Sequence, residues 1–154
     1  MTHSNGTCSC GQVHFKTQGR PLFRAICHCT ICQRFNDAEY GDILLFRAAD
    51  VDQTGCGEIS YESLRQPPLL ARGKCTNCGN PALEKLNVPL FPKLMLVPSS
   101  RIVEQAELPS PDFHIFYNHR VRDTQDDLPK SSGYLPSQTR FATHLLRGLF
   151  RGHG

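Results

Sequence analysis

The chain has 154 residues, 39% of them hydrophobic, and a formal net charge of +3. Residues 1–139 balance 14 Lys and Arg against 14 Asp and Glu, so the excess comes from Arg140, Arg147 and Arg151 at one end, which excludes a broad nucleic-acid surface. No 18-residue apolar run exists, and "MTHSNGTCSC" lacks the apolar stretch of a signal peptide, so a cytoplasmic protein without membrane contact is expected.

The first motif is "CSCGQ", Cys8 to Gln12. After it, "QVHFKTQ" alternates with period two, Val13, Phe15 and Thr17 against His14 and Lys16, and predicts a strand. "LFRAIC" (22–27) predicts another, and runs into "CHCTICQR", Cys27 to Arg34. A short helix is expected from there, with Thr30 as its N-cap. Strands follow at "DILLFRA" (42–48) and, after a glycine turn, in "TGCGEISYES" (54–63). "LLARGKC" leads into "CTNCGN", Cys75 to Asn80, and "ALEKL", "KLMLV" and "FHIFYN" continue the β pattern. Pro89, Pro92 and Pro98 rule out a long helix in the apolar stretch between them. The C-terminal "SQTRFATHLLRGLF" predicts a helix with Ser137 as N-cap. On it Phe141, Leu145, Leu146 and Leu149, with Ala142 and Phe150, form an apolar stripe, and Arg140, His144, Arg147 and Arg151 a basic one. Such a helix would dock on its own domain or on a second copy in a homodimer, with an acidic partner or an anionic membrane surface as the alternative, and Gly148 would cost it about 1 kcal/mol relative to alanine. The fold expected is mainly β.

Seven of the eight cysteines fall in tight groups: Cys8 with Cys10, Cys27 with Cys29 and Cys32, and Cys75 with Cys78. Close spacing suits chelation of one ion, and a reducing cytosol disfavours a disulfide framework. In the first and last groups a glycine follows the second cysteine, where the turn needs positive φ. These two half-sites together supply four thiolates, the closed set of a structural zinc. The middle group has three thiolates and no such glycine. Three ligands leave a fourth position open, as in catalytic zinc sites. Cys56, in "GCG", is a possible fourth ligand or an inert loop cysteine. His28 stands between two proposed ligands and should point away from the ion, in an orienting or a surface role. His114 and His119 have no partner at chelating spacing and read as ordinary residues.

The order C-x-C-G, C-H-C-x-x-C, C-x-x-C-G resembles the family of glutathione-dependent formaldehyde-activating enzymes and centromere protein V. The likeness runs through "GTCSCGQVHF" (6–15), "ICHCTICQRF" (26–35), "ISYES" (59–63) and "GKCTNCGNPAL" (73–83), and more loosely through 112–129. It implies a β-tent domain over residues 6–130, followed here by a basic tail over 131–154. It implies one structural zinc on Cys8, Cys10, Cys75 and Cys78, and a second, labile zinc on Cys27, Cys29 and Cys32, which would also be the catalytic residues. The activity implied is carbon–sulfur lyase chemistry on thiol adducts, of the glutathione type, of formaldehyde or another small aldehyde. Arg34, beside the triad, is a candidate contact for a glutathione carboxylate. The alternative is a non-enzymatic zinc module that binds a protein partner. The chain departs from the family pattern in "FNDAEYGD" after the triad, in Lys74 before the second knuckle and in lacking a tryptophan near Arg122.

Overall fold

The computed structural model describes residues 3–151. Its strands are β1 (His3–Thr7), β2 (His14–Gln18), β3 (Phe23–Cys27), β4 (Gly41–Arg47), β5 (Val51–Asp52), β6 (Ile59–Glu62), β7 (Leu70–Cys75), β8 (Pro81–Leu86), β9 (Leu94–Pro98) and β10 (Phe113–Ile115). Its helices are α1 (Thr30–Asn36) and α2 (Tyr134–Phe150). The architecture is mainly β, as the alternating runs predict.

The strands form a small sheet, β1-β2-β5, and a large one, β10-β3-β4-β9-β8-β7-β6. Pairing in the large sheet is antiparallel except that β10 lies parallel to β3. Successive side chains on a strand face opposite ways, and here both faces of the large sheet are covered. Ile43 and Leu45 of β4 join Leu94 and Leu96 of β9 in one core, which also holds Cys27, Cys29 and Cys32. Leu44 and Phe46 join Met95 and Val97 in a second core, which holds Cys8 and Cys75. The two cysteine groups therefore occupy different cores. The small sheet closes the second one. Val13, Phe15 and Thr17 are buried while His14 and Lys16 are exposed, as the alternation predicts. β1 carries no apolar side chain; its buried positions are Ser4 and Gly6.

α2 packs on its own domain. Leu145 is buried in the first core with Phe141 and Leu149 against it, and Phe141 meets the Phe23 ring edge-on at 5.0 Å. Two details differ from the stripe read off the sequence. Leu146 and Phe150 face outward, and His144 faces inward, its ring 4.3 Å from that of Phe113. The line that docks runs through Phe141, His144, Leu145 and Gly148, so the neighbours of Leu145 and Leu149 turn away. The helix also begins earlier than Ser137, with Gly133 as N-cap and Pro136 in the first turn, where proline is tolerated. Ser137 is fully buried inside it instead, and its Oγ accepts from the backbone N–H of Phe116 at 2.9 Å. Arg47 donates to the carbonyl of Leu149 near the other end, and Arg151 to that of Leu22.

Gly148 permits the close approach. A Cβ there would stand 2.8 Å from the Leu22 Cβ and 3.0 Å from its carbonyl oxygen. Alanine gains about 1 kcal/mol of helix propensity, but overpacking costs about 1–3 kcal/mol and the obstacle is partly backbone. Gly148→Ala should therefore lower the melting temperature, against the helix scale. A thermal unfolding curve checks the sign.

Candidate metal centres and the cavity beside them

The first and last cysteine groups meet. The sulfurs of Cys8, Cys10, Cys75 and Cys78 all lie within 4.8 Å of one another, with Cys8 to Cys10 at 3.4 Å and Cys10 to Cys75 at 3.7 Å. None is in a disulfide. The paired glycines do what the motif requires: Gly11 has φ +79 and Gly79 has φ +73. Each permits a tight return, Gly11 N–H donating to the Cys8 carbonyl and Gly79 N–H to that of Cys75. Asn80 joins the two half-sites, its Oδ1 accepting from the Ser9 N–H at 2.9 Å and from the Cys78 thiol at 3.2 Å. A hydrogen bond from Asn77, with the Gln12 amide, lowers the Cys10 thiol to about 6, while burial raises Cys8.

The middle group is a second cluster. Cys27 ends β3, Cys29 precedes α1 and Cys32 lies in its first turn, and their three sulfurs are buried within 4.8 Å of one another. The N-cap is Cys29, not Thr30: its sulfur accepts the Cys32 N–H at 3.3 Å. A sulfur one residue earlier takes the role that a hydroxyl would have filled. Cys29 is also the sulfur that ionises first. Hydrogen bonds from the Cys27 and Cys32 thiols hold its pKa far down, helped by the Cys32 amide and by Arg72. Cys27 is correspondingly raised, because its thiol is bound to Cys29. Binding of a metal ion to the three sulfurs would release their thiol protons. Both cysteine groups could hold metal ions. Cys56 belongs to neither; it half-buries beside the second core and donates to the Gly57 carbonyl.

His28 points away from the triad, as its position predicts, but into the protein and not to the surface. It is 1% exposed, and its Nε2 lies 2.8 Å from the Nδ1 of His114. The Nε2 of His114 lies 2.9 Å from Asp126 Oδ2, and Lys130 caps the same carboxylate at 2.8 Å. Asp126 is held well below the usual carboxylate range by Lys130, with the bond from His114 adding to it. The carboxylate can only accept, so His114 donates from Nε2, and its Nδ1 shares a hydrogen bond with His28 Nε2. His114 belongs to neither metal-ligand group, and its bonds to His28 and Asp126 add a contact that the sequence did not reveal. The pairing was hidden because it runs across 86 residues, through the parallel register of β10 on β3, Ile115 opposite Cys27.

A cavity of about 470 Å³ opens on the three triad sulfurs. Its walls are mostly apolar. The charged groups lining it are Arg65, Arg72 and Glu84. Arg34 does not line it and is exposed on α1. Arg72 donates to Glu84 Oε1 at 3.2 Å and lies with both terminal nitrogens 3.6 Å from the Cys32 sulfur. Burial pushes the Glu84 carboxyl up to about 7, against the lowering effect of Arg72. Neither residue stood out in the sequence. Lys74 lies with its ammonium 5.4 Å from the centre of the Phe35 ring.

A family model described as "Glutathione-dependent formaldehyde-activating enzyme" matches residues 3–119. A Rhodobacter sphaeroides protein of known crystal structure is similar in fold, with TM-score 0.51 and 18% identity, over 65% of this chain and 88% of that one. No curated protein matches.

Asp126→Asn, which keeps the shape but removes the charge, should loosen the His114–His28 chain that anchors residues 27–29. Outer groups that orient metal ligands are typically worth about 10–100-fold in affinity. Competition with a chromophoric chelator should show weaker metal binding at the triad and unchanged binding at the Cys8, Cys10, Cys75, Cys78 group.

Proposed function

Because the chain belongs to the family of glutathione-dependent formaldehyde-activating enzymes, we propose that it is a zinc-dependent enzyme of the carbon–sulfur lyase type. Its substrates are thiol adducts, of the glutathione type, of formaldehyde or another small aldehyde. The observation that carries this reading is that three clustered sulfurs, Cys27, Cys29 and Cys32, open onto a cavity.

Both sulfur groups suit zinc. Four thiolates at about 2.3 Å from an ion form a tetrahedron with edges of about 3.8 Å, and the Cys8–Cys10 and Cys10–Cys75 separations of 3.4 and 3.7 Å are near that. Cys8, Cys10, Cys75 and Cys78 would hold a structural ion, and the triad a second one with a free position. When bound there, zinc supplies a Lewis acid that favours the thiolate form of an incoming thiol. The reaction needs no oxidant. A hemithioacetal loses its hydroxyl proton, the carbon–sulfur bond breaks with its electron pair going to sulfur, and a carbonyl and a thiol result. The chain's own residues contribute a low-pKa sulfur at Cys29, a guanidinium beside Cys32, and apolar walls that keep water from the reacting carbon. Eight free cysteines suit a reducing compartment such as the cytoplasm. Among the described residues no helix is long and apolar enough to cross a membrane.

A second reading, a zinc module that binds a protein partner without catalysis, draws on the outward Leu135, Leu146 and Phe150 of α2. NMR exchange between formaldehyde and its glutathione adduct separates the two. Acceleration by the zinc-loaded protein supports the enzyme; the uncatalysed rate at all protein concentrations supports the module.

The division between the ions has its own test. Structural zinc contributes about 10–16 kcal/mol in small zinc peptides, comparable with a domain's whole stability of about 5–15 kcal/mol. Cys78→Ser should leave the chain largely unfolded. Cys29→Ser should leave it folded with one metal fewer, as counted by native mass spectrometry. With cobalt in place of zinc, glutathione should change the thiolate absorption of the wild type and have no effect in Cys29→Ser.

A further inference from the structure

The cavity is unlike a site for a one-carbon aldehyde. Ile43, Leu70, Leu86, Leu96, Ile115 and Phe141 line it together with the three sulfurs. At about 470 Å³ it lies in the range of pockets that enclose whole small molecules, about 300–1,000 Å³. Glutathione carries two carboxylates and an ammonium group, and burying these against aliphatic walls without partners is costly. Arg65, Gln66, Tyr134 and Gln138 of the lining carry polar groups that could meet a thiol's polar body. The aliphatic walls remain for something else.

Deep in the same cavity lies an unfinished hydrogen-bond account. Glu84 is 2% exposed and lines the cavity. Its Oε1 is engaged by Arg72, but its Oε2 is buried with no hydrogen-bond partner. A buried acceptor left unpaired costs about 1–3 kcal/mol, so a lone one among catalytic sulfurs asks for a donor from outside. A hemithioacetal has one such donor, its hydroxyl.

We propose that the site takes adducts whose aldehyde portion is an apolar chain or ring of several carbons, and that Glu84 Oε2 accepts the adduct's hydroxyl proton. This rests on the reading of the site as an enzyme for thiol adducts. In the breakdown direction the hydroxyl proton passes to Glu84 and the carbon–oxygen double bond forms. The carbon–sulfur bond breaks with its pair on sulfur, and the proton returns from Glu84 to give the free thiol. Atoms and charge balance without a further reagent. Arg72 engages the other carboxylate oxygen, which leaves Oε2 as the acceptor.

The test uses the full-length, zinc-loaded protein with glutathione adducts of formaldehyde, butanal, hexanal and phenylacetaldehyde, with exchange rates measured by NMR. The expected result is a rise in kcat/KM of about fourfold per added methylene until the cavity is filled. Glu84→Gln should lower kcat for the hexanal adduct by about 100-fold or more. It should leave KM within about threefold and both metals bound. Equal or better turnover of the formaldehyde adduct overturns the substrate class while leaving the enzyme reading in place. Absence of acceleration with every adduct overturns both. Unchanged kcat in a folded Glu84→Gln removes the role of Glu84. Should that variant not fold, unchanged kcat in Glu84→Asp, whose carboxylate is withdrawn by one methylene, removes it equally.

Discussion

Four sulfurs gathered from both sides of a 65-residue interval set the terms for the rest of this chain. Two thiolates about 4 Å apart repel by about 4 kcal/mol even at an effective dielectric constant of 20. Four in one cluster cannot all be charged unless a cation sits among them. The turn glycines, the Asn80 bridge and the amides aimed at sulfur all serve that one convergence. Through it the small sheet joins the large one, because Cys8 and Cys75 share a core with Val13, Leu44 and Leu83.

The large sheet then separates two kinds of cysteine chemistry. The four-sulfur group lies in the core on one face and the triad in the core on the other. β4 touches both, with Leu44 and Phe46 on one side and Ile43 and Leu45 on the other. The sheet lies between the two groups, so a change at one need not disturb the other. α2 finishes the face that carries the triad. It contributes Phe141 and Leu145 to the cavity wall, and is held by a histidine and two aromatic rings as well as by aliphatic contact.

Alternation made most of the fold legible before any coordinates. Runs such as "QVHFKTQ" and "DILLFRA" are strands because their side chains divide between a core and solvent or between two cores. β1 escaped notice because its inward residues are Ser4 and Gly6, which carry no hydrophobic signal. The cysteine groups were legible because chelation constrains spacing along the chain. The groups around them were not, because they depend on register. Arg72 stands opposite Glu84 only after an irregularity between Arg72 and Lys74. Counting back from Lys74 opposite Pro81 would have set Arg72 against an apolar neighbour, Leu83, and missed the ion pair. His114 meets His28 through a parallel pairing that no local pattern announces. The two misjudged helix starts share a cause. Sequence favours a hydroxyl at the first turn, but Cys29 caps α1 with a sulfur, and Ser137 spends its hydroxyl on the Phe116 amide.

The sulfur cap of α1 ties backbone order to charge. α1 has 7 residues, too few to be stable as an isolated helix, and its first turn closes on a group that can be thiol, thiolate or ligand. Whatever takes electron density from Cys29 weakens the acceptor that the Cys32 amide relies on. The deuterium uptake of that single amide is thus an internal electrometer for the site, readable without substrate and without a chromophore. It would register oxidation, alkylation or ligation at Cys29 as a change in how often seven residues unwind.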